Sequence, residues 1–314
     1  MFRTILFLLV AILILPLIAL YTDISMITDQ WNALDTAVRI MLGIAITCRL
    51  VSELSKNYSQ VDKLWSITPI LYVWFFAVQG GLSQRMFLMA ILVTFWGARL
   101  TYNFNRRGGY SIIPWKGEED YRWAVLREIP FLQGRFRWGI FNLIFISLYQ
   151  NIILLLISMP ALFAWQEKAV QLNWIDILAT TLFLLFLVLE TIADQQQYNF
   201  QKEKHRRIDA KEALTHNYTD GFLSGGLWKY VRHPNYSAEQ AIWISFYLFS
   251  VAATQQWFNW SLSGSVLLVL LFFGSSSFSE KISSGKYPEY KYYQQQVPRF
   301  IPRLIRKNNM KPMK

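Results

Sequence analysis

Residues 225–243 read GGLWKYVRHPNYSAEQAIW. Arg232 and His233 precede Pro234, and Asn235 and Glu239 follow it at the entrance to an apolar stretch. Proline is favoured at the first helical position, where an N–H has no intrahelical partner anyway. Pro234 is therefore expected to start a helix, with the free amides of Asn235 and Tyr236 at the positive end of its dipole. Together with Arg232 and His233 they suit a phosphate or a carboxylate. Asn235 can donate and accept at once, which matches a carboxamide such as nicotinamide. Glu239, one turn deeper, can accept from an amine or hydroxyl. A plainer reading makes Trp228, Tyr230 and Arg232 anchors of a helix end. That explains those three residues but neither Asn235 nor Glu239.

Two further stretches carry polar residues at helical spacing. Glu190, Asp194, Gln197 and Gln201 fall on one helix face, and so do Arg99, Asn103 and Arg106, with Trp96 one turn deeper. Along the helix that Pro234 opens, Asn235, Glu239, Trp243 and Phe246 share a face. Ionisable groups within a membrane are costly and point to function by default. A single pair, such as Arg99 with Glu190 or Asp194, could simply satisfy itself in a bundle. Three stripes at one depth and on one side imply a polar cavity open to the cytosol.

The elements that must position these residues are membrane helices. The chain has 314 residues, 54% hydrophobic and 17% aromatic, with a mean hydropathy of +0.24, which is not a soluble composition. A bilayer-spanning helix needs about 20 mostly apolar residues. The stretches that fit are Phe2–Tyr21, Leu34–Leu54, Leu64–Gln79, Met86–Tyr102, Trp138–Ala161, Trp174–Asp194, Ala238–Ala253 and Trp260–Ser277. The expected fold is all-α, a polytopic transmembrane bundle of about eight spans. Basic residues collect in cytoplasmic loops, and here they lie in 103–137, in 195–234 and in the tail from Lys281 to Lys314. The intervening loops hold only Arg85 and Lys168 as bases, and Tyr21–Gln30 has Asp23 and Asp29 and none. An eight-span reading puts all basic loops and both termini on the cytoplasmic side. We divide the chain into N-terminal membrane helices over 1–56 and a membrane domain with a basic cytoplasmic tail over 57–314. Arg3 before a long apolar run gives the first span the outline of a signal peptide, although about 18 residues is long for one.

The net charge of +11 describes a collar facing anionic headgroups, so no nucleic-acid partner is needed to explain it. Cys48 is the lone cysteine, and His205, His216 and His233 lack ligand-type spacing with carboxylates, so no metal is expected. No phosphate-binding glycine loop and no nucleophile elbow is present. No small-residue motif marks a dimerising face, which leaves the oligomeric state open. In the first basic loop, EEDYRWAVLREI is expected to form a short amphipathic helix, with Trp123, Leu126 and Ile129 in the membrane interface.

The run RHPNYSAE resembles the R-H-P-N-Y-x-x-E signature of the steroid 5-alpha-reductase C-terminal superfamily. That superfamily includes sterol reductases and, more distantly, isoprenylcysteine carboxyl methyltransferases. The resemblance is nearest to its uncharacterised branch, a domain of unknown function. It extends from Asn57 to Pro302 through NYSQVDKLWSITP, WGARLTYNFNRRGGY, EDYRWAVLRE, ETIADQQQYNFQ and KYPEYKYYQQQVPRFIP. What the resemblance implies is a cytoplasm-facing NADPH site. Asp194, Asn235 and Glu239 match cofactor-holding positions, and Arg232, His233 and Tyr236 belong to the same motif. Lys202 begins a basic run, Lys202–Arg207, where relatives place phosphate-binding bases. Glu280 and Tyr287 fall near the segment that closes over the nucleotide. Arg99, Asn103 and Arg106 are assigned to the same cofactor site. Two departures are visible: Gln201 stands where the steroid enzymes place an arginine, and Trp96 stands at their substrate-polarising tyrosine, with no glutamate counterpart.

The expected function is a membrane-embedded, NADPH-dependent reductase acting on a carbon–carbon double bond of a lipid reached through the bilayer. Tyr102, Asp62, Glu190 and Tyr198 are the candidates for activating the substrate. The alternatives are an S-adenosylmethionine-dependent methyltransferase and a non-catalytic lipid-binding protein. The partners expected are the lipid bilayer, either a bacterial inner membrane or the endoplasmic reticulum, and a hydrophobic small molecule.

Overall fold

Helical propensity and apolar content account for nearly every element, and among the described residues there is no strand. The structure is a computed structural model and describes residues 2–21, 26–113, 115–165, 171–215 and 218–303. Lys168, His216, the acidic Asp23 and the tail from 304 onward lie outside these residues. The helices are α1 (Phe2–Tyr21), α2 (Thr28–Ser55), α3 (Gln60–Leu64), α4 (Thr68–Gln79), α5 (Gln84–Asn105) and α6 (Tyr121–Arg127). After them come α7 (Arg135–Ala164), α8 (Trp174–Asp209), α9 (Pro234–Thr254), α10 (Leu262–Lys286) and α11 (Tyr290–Gln296). Four of these, α5, α7, α8 and α10, are long and apolar enough to cross a membrane.

Two compact units are present: Met1–Phe183 with Trp243–Leu271, and Leu184–Ile242 with Phe272–Lys314. In the first unit, the Ser83 side chain caps α5 by accepting from Met86 N–H at 3.4 Å. Helix α7 contains a π-helical stretch, Asn142–Tyr149, a local rearrangement frequent at functional sites. Glycines allow close approach at two points. A Cβ on Gly264 would lie 2.3 Å from the Leu156 carbonyl oxygen, and one on Gly97 would lie 2.4 Å from that of Ser66. Gly97→Ala is therefore expected to cost about 1–3 kcal/mol through overpacking. Thermal melting in detergent measures it, and an unchanged midpoint would mean the Ser66 segment can retreat.

Two expectations require correction, and one helix runs further than its apolar span. Helix α8 continues beyond Asp194, past Gln197 and Gln201, to Asp209, so the first part of the second basic loop is helix. Its sequence there, QQQYNFQKEKHRR, contains no glycine or proline and many helix formers. Glu203 reinforces it by pairing with Arg206 at 2.8 Å and Arg207 at 2.7 Å. The amphipathic α6 forms, but Trp123 and Leu126 are buried in protein instead of lying in the interface. The Trp123 indole N–H reaches Ser59 Oγ and Asp62 Oδ2, both at 3.1 Å, which a lipid interface would not offer. Arg85 is not a loop charge. It is buried and makes a two-pronged pair with Asp176 at 2.7 and 2.8 Å.

Candidate functional site

Helix α9 begins at Pro234, as its imino acid dictates, and the residues around that start are drawn into the second unit's polar interior. Arg232 N–H donates to Pro298 O at 2.9 Å and His233 N–H to Arg299 O at 3.2 Å. The Ser237 hydroxyl donates to Phe300 O at 2.8 Å. The C-terminal chain thus crosses the mouth of α9 and takes up donors there. Asn235 Oδ1 accepts from Tyr236 N–H at 3.0 Å, which occupies one of the two amides expected to face an anion.

The side chains of Arg232 and His233 converge on Glu280. Arg232 Nε donates to Glu280 Oε1 at 2.7 Å, and His233 Nε2 lies 2.9 Å from the same oxygen. Gln294 Nε2 and Arg299 reach Glu280 Oε2 at 3.0 and 3.2 Å. Arg232 also donates to the carbonyls of Gln294 and Val297. Glu280 is therefore the hub that ties the R-H-P-N run to the tail, and the Arg232 charge is met by protein acceptors. Burial pushes the His233 imidazole below its ordinary value, outweighing the carboxylate beside it. The neutral ring then donates from Nε2 to Glu280 and stacks on Tyr236, with centroids 5.4 Å apart.

Asp194 and Asn235 meet: Asn235 Nδ2 donates to Asp194 Oδ1 at 3.1 Å. Glu190, Asp194 and Glu239 are all buried, and all belong to this unit. Tyr287 lies close by in sequence to the Glu280 hub and receives Lys204 Nζ at 3.2 Å; the same ammonium donates to Gly221 O at 2.7 Å. Burial raises the Tyr287 phenol, but Lys204 and Lys286 outweigh it and leave it below its ordinary value. Within the basic run, Lys204 is thus the residue brought to Tyr287, while Lys202 is exposed. Glu203 and Glu212 hold Arg206.

The remaining candidates are distributed over both units. Arg99 is half-buried, and Asn103 Oδ1 accepts from Arg106 Nε at 2.9 Å, both within the first unit. Tyr102 is largely exposed beneath the Arg106 guanidinium. Asp62, also in the first unit, is buried beside Trp123; desolvation and the nearby Asp120 raise its carboxyl, against the pull of Arg122. Trp96 packs edge-on against Trp243 at 4.9 Å. Glu190 and Tyr198 stand on α8 in the second unit. Among the described residues no group of three or more His, Cys, Asp and Glu is arranged to hold a metal.

Sequence reasoning missed Gln294, Arg299 and Lys204 as partners. It also missed an open hollow of about 390 Å³ in the second unit, between α8 and the chain that includes Tyr218, Leu223 and Gly226. Neutral amides and glycines give no charge signal from which such a feature could be read.

A helical membrane protein with a buried polar cluster at one helix start is the class that this fold and site define. The chain belongs to the family described as "Protein of unknown function (DUF1295)", whose model matches residues 48–297. It is 40% identical over 267 residues to an uncharacterised protein of Schizosaccharomyces pombe, covering 81% of this chain and 75% of the relative. No solved structure matches.

Proposed function

We propose that this chain is a membrane-embedded, NADPH-dependent oxidoreductase that reduces a carbon–carbon double bond of a lipid, such as a sterol, polyprenoid or acyl enone. In this reading its family is a branch of the steroid 5-alpha-reductase C-terminal superfamily. The chain spans a bacterial inner membrane or the endoplasmic reticulum membrane about eight times, with both termini in the cytoplasm. The observation that carries the reading is the hydrogen bond between Asn235 and Asp194, which are 41 positions apart. These are two of the residues that the sequence motif associates with the cofactor.

The donor set fits a nicotinamide carboxamide. Asp194 accepts and Asn235 both donates and accepts. Gln197, on the same α8 face, carries a buried Oε1 with no protein partner, which a ligand N–H would satisfy. When bound, NADPH supplies a hydride to one carbon of the double bond. The chain's own tasks are to fix the carboxamide through Asp194, Gln197 and Asn235, and to give a proton to the other carbon. Of the candidate acids, Glu190 and Tyr198 stand in the same unit as Asp194 and Asn235, and Tyr102 and Asp62 in the other.

NADPH at a hundredfold excess over its Kd is expected to stabilise the purified protein by about 2.7 kcal/mol, and Asn235→Ala to abolish that gain. Thermal melting with NADPH, NADH or S-adenosylmethionine measures both. Stabilisation by S-adenosylmethionine alone would make the chain a methyltransferase. Indifference to all three, with a defined lipid co-purifying, would leave a lipid-binding protein.

A further inference from the structure

The loop between α5 and α6 is drawn back onto the first unit by side chains of residues 57–63. Three of them hold three successive carbonyls. Gln60 Nε2 donates to Trp115 O at 3.1 Å, Lys63 Nζ to Lys116 O at 2.6 Å and Asn57 Nδ2 to Gly117 O at 2.9 Å. The Tyr110 hydroxyl adds a fourth tether by donating to Lys63 O at 2.6 Å. Glu118 N–H donates to Gly108 O at 3.0 Å and closes the neck. Gly117 has a φ of +123°, and a Cβ there would lie 2.3 Å from Gly109 O, so the neck requires glycine. A short loop whose ends meet in this way is a compact Ω-loop, a form frequent in function.

What this tethered loop presents is apolar. Ile112 is fully exposed, and Ile113 and Trp115 are 38% and 52% exposed. Large apolar side chains gathered on the surface mark a place that meets something apolar, and the position of the loop says what. It leaves the end of α5, which is long and apolar enough to cross a membrane. Its tethers run to α3, which precedes the apolar helix α4. Phe87, Phe95, Ala98 and Tyr102 are exposed along one face of α5, and Leu71 and Val78 are exposed on α4. These faces suit lipid, and the exposed apolar surface of α5 continues to the boundary where the loop begins. Charge agrees. Arg107 and Lys116 flank the tip and are exposed. Of the acids that follow, Glu119 and Asp120 are paired with Arg127 and Arg122. Tryptophan is enriched where a membrane meets water, and bases near that surface attract anionic headgroups.

We propose that Ile112, Ile113 and Trp115 form a wedge inserted at the headgroup–acyl boundary of the bilayer, with Lys116 and Arg107 against anionic lipid headgroups. The interfacial role that the sequence assigned to α6 thus falls to the loop before it. Because the four tethers already order the loop, insertion costs little further conformational entropy. The inference does not use the cofactor reading, and the failure of either leaves the other standing.

The test uses the full-length chain in lipid nanodiscs with a nitroxide on Ile112→Cys. Cys48 is the lone native cysteine and is buried, and Ile112 is exposed, so the substitution disturbs no packing. Power saturation should find the label reached by oxygen more readily than by a water-soluble nickel chelate, at a depth of about 5–10 Å. A label on Asp209→Cys, at the exposed end of α8, supplies the water-exposed reference. Lys116→Gln should shift the Ile112 label about fivefold from inserted toward water-exposed, the loss of one base at an anionic surface. That shift is expected in discs of phosphatidylcholine with phosphatidylglycerol and not in phosphatidylcholine alone. An Ile112 label as open to nickel as the Asp209 reference would overturn the wedge and make the tip a docking surface for a soluble partner. An inserted label indifferent to Lys116→Gln in both lipids would overturn the headgroup contact.

Discussion

Glu280→Ala protein is expected to melt far below the wild type, with a loss of about 3–5 kcal/mol, the range for removing one partner of a buried ion pair. The Glu280 side chain is 3% exposed and bridges Arg232 and Arg299. It also accepts from Gln294 and His233. Without it two guanidinium groups face each other with no counter-charge, and the tail residues Val297–Arg299 lose the contact that seats them at the start of α9. Glu280→Gln should fall in between, since it keeps the shape and one acceptor but not the charge. Melting in detergent across pH gives a second readout. His233 has its pKa lowered from 6.5, chiefly by burial, so the unfolded chain binds a proton more readily than the folded one. Its contribution to stability is therefore complete above pH 6.5 and is lost as the pH falls below that value toward the folded pKa. His233→Gln should flatten this acid limb. A limb of unchanged slope would show that another group carries it.

The second large effect is expected at Arg85 and Asp176. Both side chains are 2% exposed, Arg85 also donates to Gln171 O at 3.0 Å, and Asp176 accepts from Asn173 N–H at 2.8 Å before α8. Each single replacement, Arg85→Met or Asp176→Leu, strands a charge in a low-dielectric interior and should cost about 3–5 kcal/mol. The double variant should cost much less than the sum, because neither charge is then left alone. A double-mutant cycle of melting midpoints measures the coupling. Strict additivity would mean that the pair is not a unit.

These sites divide what can be read along a chain from what cannot. Pro234 announced the start of α9, because the constraint is on its own backbone. The apolar runs announced the helices for the same local reason. The helical face through Gln197 and Gln201 could be read from spacing, but not the end of α8 at Asp209, because hydropathy falls after Asp194 while helix propensity in 195–209 does not. Asp194 and Asn235 could be picked out as polar residues in costly places, and Glu280 and Tyr287 as residues near the motif. Their partners could not, because Arg232 and Glu280 are 48 positions apart and many cations lie nearer in sequence. Arg85 looked like a loop charge and Trp123 like an interface anchor, since an exposed side chain and a satisfied buried one have the same letter.

The sequence by itself determined the all-helical character, membrane-grade hydropathy and the helix start at 234, all properties of contiguous residues. Tertiary structure alone decided that the Arg232 charge belongs to Glu280, that Lys204 rather than Lys202 reaches Tyr287, and that a hollow opens beside Phe200 and Tyr218. The reason is physical. Local propensity depends on a few neighbouring dihedrals, whereas the partner of a buried charge, or an open space, depends on how distant helices pack.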